Sequence, residues 1–406
     1  MNGAWVIVVA VLCVQHALIS VCFAEVFMVQ DKYGALHVNT TNPANDSVSF
    51  NGVDLGEMAS LAQQQSIAIQ ALEAKLEQQE RLTCFLRRLA ADTTTMAGVG
   101  TGNQDWMGGT LANNGLIYGT PFRSTSVLII DPKTNTADTT TITGLGAGAK
   151  WGGGVLASNG LVYGFPHDAT SVLVIDPTTN SADTATLGGL PAGGGKWLSG
   201  VGADNGLIYG IPWSSSSVLI VDPVANSLDN TTIAGVGNGV LQWHGGVQAP
   251  NGLIYGIPRN AEAVLIIDPA TNTADTTSIS GLMGVDKWHA GLLAPSGLIY
   301  GVPMSSSSLL IIDPARNIAD TTSITGFAGG GQWFDGVLTD TGLIFGIPNN
   351  AEDILIFDTA TNTTDTTSLT VPAGSGKWWG GAVATNGLIY AMPFSHQNVL
   401  IIDPGC

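Results

Sequence analysis

Basic residues are scarce in this chain: 13 Lys and Arg stand against 31 Asp and Glu, a formal net charge of −18 over 406 residues. Phosphate recognition needs clustered cations, so nucleic acids and anionic membrane surfaces are excluded as partners. Long apolar runs are missing as well. After the first two dozen residues none approaches the roughly 18 to 20 residues of a membrane span, so no span is expected. The chain also lacks a Gly-rich phosphate loop, a nucleophile elbow, a zinc-ligand spacing and any carboxylate pair that stands out from its surroundings. No catalytic residue, metal or cofactor is therefore assigned. Cysteine is limited to four residues.

Two of the four, Cys13 and Cys22, fall at the N-terminus, where an apolar run from Trp5 to Leu18 is followed by Cys22-Phe23-Ala24. Small residues at the first and third of those positions suit signal peptidase. Residues 1–24 thus read as a secretory signal cleaved after Ala24, and the mature protein as secreted and extracellular; a lone anchor helix is the competing reading. Export leaves Cys84 and Cys406 in an oxidising compartment, where they have one intrachain bridge open to them. In a eukaryotic host, Asn39, Asn45, Asn230 and Asn362 begin glycosylation sequons.

The rest of the chain is dominated by repetition. GLIYG or a close variant begins at Gly115, Gly160, Gly206, Gly252, Gly297, Gly342 and Gly387, separated by 45 or 46 residues. A Trp precedes each by nine residues: Trp106, Trp151, Trp197, Trp243, Trp288, Trp333 and Trp378. One unit reads as four short strands, WGGGVLA, GLVYGFP, SVLVID and ADTATLGG, divided by Asn-Gly, Pro-containing and Asp-Pro-x-Thr-Asn turns. Four strands per ~45 residues is the spacing of a β-propeller blade, which predicts an all-β, seven-bladed propeller. Paired glycines in the first strand suit the crowded axis, and LIY and VLII suit middle strands enclosed on both faces. A Trp held in every blade reads as a core wedge bonded through its indole nitrogen, with a sugar platform as the rival reading. The Lys or Gln before six of them is expected to rim the channel. The Asp-Pro-x-Thr-Asn-x-Ala-Asp connection reads as an Asx turn, with a calcium loop as its rival.

The ends of the repeat predict how the ring closes. The seventh unit stops at Ile402-Asp403-Pro404-Gly405-Cys406 without a fourth strand, while an orphan ADTTTMAGVG over Ala91–Gly100 precedes the first Trp. The missing outer strand is thus expected from the N-terminal side, abolishing the open edge. Cys406 would then fall near the donated strand that Cys84 precedes, and a Cys84–Cys406 disulfide is expected to lock the closure.

The segments SVLVIDPTTNSADTATL and AVLIIDPATNTADTTSI resemble the VIDxATNTV core of secreted Tyr-Val-Thr-Asn-repeat propellers, and the spacing is similar to that of kelch-type propellers. The resemblance covers residues 91–406 as architecture. Trp-x-Gly-Gly and GLIYG are signatures of neither family, so it implies a fold and carries no function.

Upstream of the repeat, residues 25–53 contain VFMVQ, ALHV and SVSFNGVDL and read as a small β segment or cap. Residues 54–90 read as a helical coiled-coil stem, with Leu55, Ala62, Ile69 and Leu76 at a and Met58, Gln65, Leu72, Gln79 and Leu86 at d. The stem predicts a homo-oligomer; its polar d positions leave a single helix packed on the propeller as the alternative.

Because the units are near copies, their differences mark candidate specificity. The most variable stretch follows the proline of each second strand: Phe122-Arg123, His167-Asp168, Trp213-Ser214, Arg259-Asn260 with Glu262, Met304-Ser305, Asn349-Asn350 with Glu352-Asp353, and Phe394 with His396. The residue after each Trp varies too: Met107, Gly152, Leu198, His244, His289, Phe334, Trp379. In a propeller these two sets open on one face. Its aromatics, arginines, amides and carboxylates suit a glycan or an extracellular protein, which predicts a secreted recognition or adhesion module. The alternatives are a structural subunit of an extracellular assembly and a hydrolase, lyase or oxidoreductase using His244, His289 or Glu352-Asp353 in a central pocket. His244 and His289 with Asp335 nearby are also a candidate His and carboxylate metal set.

Overall fold

A computed structural model of the chain describes residues 60–73, 75, 88–237 and 239–405, together with the backbone of six short strands between residues 7 and 54. The chain divides into two compact units, Met1–Leu86 and Arg87–Cys406. In the first, Ile7–Ala10 pairs with Val26–Val29, Cys13–His16 with Ile19–Cys22, and Ser49–Phe50 with Val53–Asp54. Residues 60–73 are helical, with Ala62 and Ile69 half-buried and Leu61, Ile67 and Leu72 exposed. Most of the remaining heptad positions, and both Cys84 and Cys406, lie outside the described residues.

The second unit is a seven-bladed propeller of four-stranded antiparallel sheets. Blade 2 is representative: Trp151–Leu156, Val162–Pro166, Leu173–Asp176 and Ser181–Asp183 run outward from the axis in chain order. Blades 1 and 3 to 6 repeat this from Trp106, Trp197, Trp243, Trp288 and Trp333. Blade 7 is composite. Its Trp378–Val383, Ile389–Pro393 and Leu400–Asp403 are completed by Ala90–Asp92, registered as Ile401 with Asp92, Ile402 with Ala91 and Asp403 with Ala90. The ring closes as the repeat ends predict, and the backbone at Gly405 lies against Leu89.

The outer strand departs from expectation. It spans three residues per blade, not eight, because the Asp that ends it folds the following Thr-rich stretch into a turn. Asp138 Oδ1 accepts from the Thr140 amide at 2.6 Å and hydroxyl at 2.7 Å, and Oδ2 from the Thr141 hydroxyl. These bonds hold the carboxyl at about 2. Side-chain oxygens that bond to nearby amides compete with a β ladder, and here the competition ends the strand.

Packing between blades explains the constant residues. Each second strand is buried along its length, and the core lies between adjacent sheets: Tyr118, Val127 and Ile129 of blade 1 meet Trp151, Val162 and Leu173 of blade 2. All seven indole nitrogens donate to a carbonyl twenty residues on, at 2.7 to 3.1 Å. The Trp are therefore core wedges and not sugar platforms. The Tyr of GLIYG bonds to the turn Asn of the next blade, Tyr118 to Asn180 at 2.6 Å and, across the closure, Tyr390 to Asn135 at 2.5 Å. That turn is an Asx turn, with Asp131 Oδ1 accepting from Lys133 N at 2.9 Å and Asn135 at a φ of 52°. Glycine is required where first strands crowd the axis. A Cβ on Gly108, at a φ of 71°, would lie 3.1 Å from the Gly153 Cα, and one on Gly200 would lie 2.0 Å from the Phe165 ring.

Candidate recognition face

The residue before each Trp builds this face. Lys150 is buried, and its Nζ donates to Phe122 O at 3.1 Å, Ser124 O at 2.9 Å and Gly148 O at 3.0 Å, pinning the crest loop of blade 1 to blade 2. Lys196, Lys287 and Lys377 do the same at their own blade junctions. These lysines do not rim the channel: a crest loop leaves carbonyls pointing inward, and an ammonium with three donors satisfies them. Burial draws Lys150 and Lys287 down to about 8.

Above this framework the two variable sets converge as expected on one end of the channel, but their ring-bearing members close it. A continuous run of rings crosses the axis: Trp213 to His244 at 5.2 Å, His244 stacked on His289 at 3.3 Å, His289 to Phe334 at 4.9 Å, Phe334 to Trp379 at 4.7 Å and Trp379 to Phe394 at 4.8 Å. Phe394 continues to Phe122 at 5.9 Å and Phe122 to His167 at 5.1 Å. Met107 and Leu198 fill the space between. Gly152 has no side chain to contribute, and a Cβ there would strike Leu198 O. Residues expected as open contacts thus form a largely buried aromatic plug, because inward-pointing side chains from all around the ring meet at one axis.

Six further candidates are also turned inward. Arg259 lies 4.4 Å above the Trp213 ring and its Nε donates to Asp286 Oδ1 at 2.6 Å. Met304 is buried, Asn349 Nδ2 donates to Trp378 O at 3.0 Å, and Asn350 bridges Gly330 O and Gly376 N. Asn260 likewise joins Val240 O to Asp286 N. His396 is half-buried against the Trp378 ring at 4.6 Å. What remains open is the rim: Arg123, Asp168, Glu262 and Glu352 are exposed, and Asp353 is half-buried. His167 bonds Asp168 through Nδ1 at 2.5 Å; burial lowers its proton affinity, with the Asp168 carboxylate opposing.

The imidazoles in the plug are not a metal set. Among the described residues, no group of three or more His, Cys, Asp or Glu converges to hold a metal. His244 Nδ1 donates to His289 O at 2.7 Å, and burial draws His244 down to about 3 and His289 well below the ordinary range. Both ring nitrogens of His289 are buried without a hydrogen-bond partner.

Beneath the plug lies a chamber of about 160 Å³ lined by first-strand glycines, Ser199, His244, Trp379 and Asp335. Asp335 stands where blades 1, 2, 4 and 7 have Gly, blade 3 Ser and blade 5 Ala. Its Oδ1 accepts from Gly336 N at 2.9 Å, and Gly381 N of the next blade also donates to it. Burial nonetheless pushes its carboxyl up to about 7. Ser199 makes the analogous tie, accepting from Gly245 N at 3.0 Å. Asp335, expected only as a neighbour of the two imidazoles in a metal set, is instead a single charge in a column of small residues. A larger cavity of about 340 Å³ sits away from this face around Tyr255, Asp268 and Pro314, where Asp268 is already engaged by Ala270 and Thr271.

No protein-family model matches the chain, and no curated protein matches it in sequence. Solved structures share its fold. A streptogramin B lyase structure superposes with a TM-score of 0.60 at 10% identity, covering 77% of this chain and 97% of that one. The virginiamycin B lyase of Staphylococcus aureus gives 0.60 at 11% identity over 78% of this chain and 99% of its own. The extracellular domain of a putative hybrid two-component system from B. thetaiotaomicron gives 0.56 at 10% identity, covering 79% of this chain and 43% of that one. At such identities the likeness is one of fold.

Proposed function

We propose that the chain is a secreted recognition module that binds a glycan or an extracellular protein on the crest face of its propeller. One observation carries the reading. The repeat varies where its side chains gather on a single face, and there the exposed positions Arg123, Asp168, Glu262 and Glu352 surround a floor of packed rings. A rigid floor with a varied polar rim presents contacts at little ordering cost. The extracellular sensor domain among the fold neighbours is in keeping with a binding role. In this reading residues 1–24 are the signal, residues 54–90 are a stem that multiplies the disc, and avidity raises weak contacts.

Use of the central pocket by an enzyme, the alternative that the lyase neighbours suggest, finds less support. The imidazoles that reading would use, His244 and His289, are enclosed in the plug and held neutral, and Asp335, the chamber carboxyl raised to about 7, lies beneath the plug with the Gly336 and Gly381 amides donating to it.

The test is a glycan array and a panel of extracellular protein domains probed with the mature chain, with and without chelator. Arg123→Ala, Asp168→Ala and Glu352→Ala serve as rim variants; Trp213 and Trp379 are unsuitable because their removal opens the plug. Saturable binding lost in a rim variant whose melting is unchanged is the expected result. Binding that no rim variant alters, or turnover of a ligand lost in His244→Ala alone, would overturn the reading.

A further inference from the structure

Seven crest loops join an outer strand to the next first strand, and two neighbouring ones differ from the rest. Before Trp106, Trp151, Trp197, Trp333 and Trp378 the loop tips are GTGNQ, GAGA, PAGGG, AGGG and PAGSG. Before Trp243 and Trp288 they carry Val240, Met283 and Val285. These three side chains are 68%, 68% and 70% exposed, although nothing in the repeat requires an apolar residue there.

The two loops share one base. Asn260 Nδ2 donates to Val240 O at 3.3 Å, and Asn260 Oδ1 accepts from Asp286 N at 2.7 Å. Leu282 N donates to Glu262 O at 2.9 Å, which places Glu262 beside Met283. The two loops that carry the three tips are thus tied to one another through Asn260 at the crest of blades 4 and 5, with exposed Glu262 alongside and Asp286 held by Arg259. The nearby cations face inward: Arg259 is paired with Asp286 and Lys287 with three carbonyls.

We infer that this crest is a docking site for a protein segment presenting an apolar side chain flanked by lysine or arginine. The inference rests on the recognition reading above and names the partner's chemistry. Valine and methionine offer a sugar neither a ring face nor a hydrogen bond, whereas clustered exposed aliphatic side chains mark protein contacts. The exposed Glu262 carboxylate, on a chain of formal charge −18, selects a partner of opposite sign. It disfavours a second copy, which would bring the same carboxylates and a formal charge of −18.

The experiment pans the full-length mature protein against a phage-displayed random peptide library and measures the enriched peptides by fluorescence anisotropy. The variants are V240S/M283S/V285S and Glu262→Lys, whose exposed positions leave the fold intact, as near-ultraviolet dichroism checks. Enriched peptides should share an apolar residue beside Lys or Arg. The triple variant should weaken them by about tenfold or more, and salt and Glu262→Lys should weaken them further. Absence of enrichment, peptides that bind the triple variant equally, glycan binding that the triple variant loses, or a concentration-dependent dimer that it abolishes each overturns the inference. Binding that survives the triple variant but is lost in Arg123→Ala or Asp168→Ala rejects this site and leaves the recognition reading standing.

Discussion

Asp335→Asn, followed across pH, isolates the one carboxyl that the channel holds out of its ordinary range. Burial raises it from 3.8 to about 7. The folded state therefore keeps this proton more tightly than the unfolded chain. The contribution of the neutral acid is complete below about pH 4 and is lost as pH rises through about 7. At about 1.4 kcal/mol per pH unit the displacement corresponds to an upper bound of roughly 4 kcal/mol. The asparagine variant has no such charge to bury. Its amide meets the Gly381 N–H donor to donor, which costs about 1 to 2 kcal/mol, but that offset is independent of pH. The prediction is thus a difference of slopes: between pH 4 and pH 8 the wild-type protein loses up to about 4 kcal/mol relative to the variant. His244, drawn down to about 3 by burial, takes up a proton only in the unfolded chain as pH falls below its ordinary value and so lowers stability toward acid, but it does so in both proteins and cancels in the difference. Urea unfolding followed by tryptophan fluorescence at half-unit pH steps gives the two curves. Parallel curves would refute the argument that Asp335 is neutral at the axis.

Lys287→Met strips three carbonyls of a common donor and should lower stability by about 2 to 4 kcal/mol, whereas Gln332→Met, which removes one bond to Gly329 O, should cost less than about 1; equal losses in a denaturant series would contradict the capping role. Trp151→Phe keeps most of the wedge but deletes the 2.8 Å bond to Ser171 O and should cost about 1 to 2 kcal/mol. A Cβ on Gly405 would lie 3.4 Å from Leu89 N, and Cys84 stands five residues before Leu89 and Cys406 one residue after Gly405 along the chain. Mass spectrometry of the unreduced chain should find a peptide linking the two cysteines. Cys84→Ser should then lower stability by about 3 to 5 kcal/mol, and a free-thiol titration that finds both cysteines reduced sinks the prediction.

The architecture was legible because repetition makes each sequence its own control. Seven Trp at constant phase set the blade count, and the unpaired ADTTT before Trp106 marks the closing strand that pairs with Leu400–Asp403. The outer strand was overread for a local reason. Alternating Thr has strand propensity, yet Asp138 and its counterparts offer the same backbone amides a nearer acceptor. That the two variable sets gather at one end of the channel was legible, and how deep they lie was not. Whether Phe122, Trp213 and Trp379 reach outward or fold over the axis depends on how seven loops meet, a non-local question that no single repeat encodes. The same limit hid the lysines: Lys150 looks like a solvated charge until the carbonyls of Phe122, Ser124 and Gly148 converge on it. Variation within a repeat therefore reports two different things. At Phe334 and His289 it records how one axis was filled by unlike side chains, and at Arg123, Glu262 and Met283 it lies in solvent, where only a partner gives it meaning.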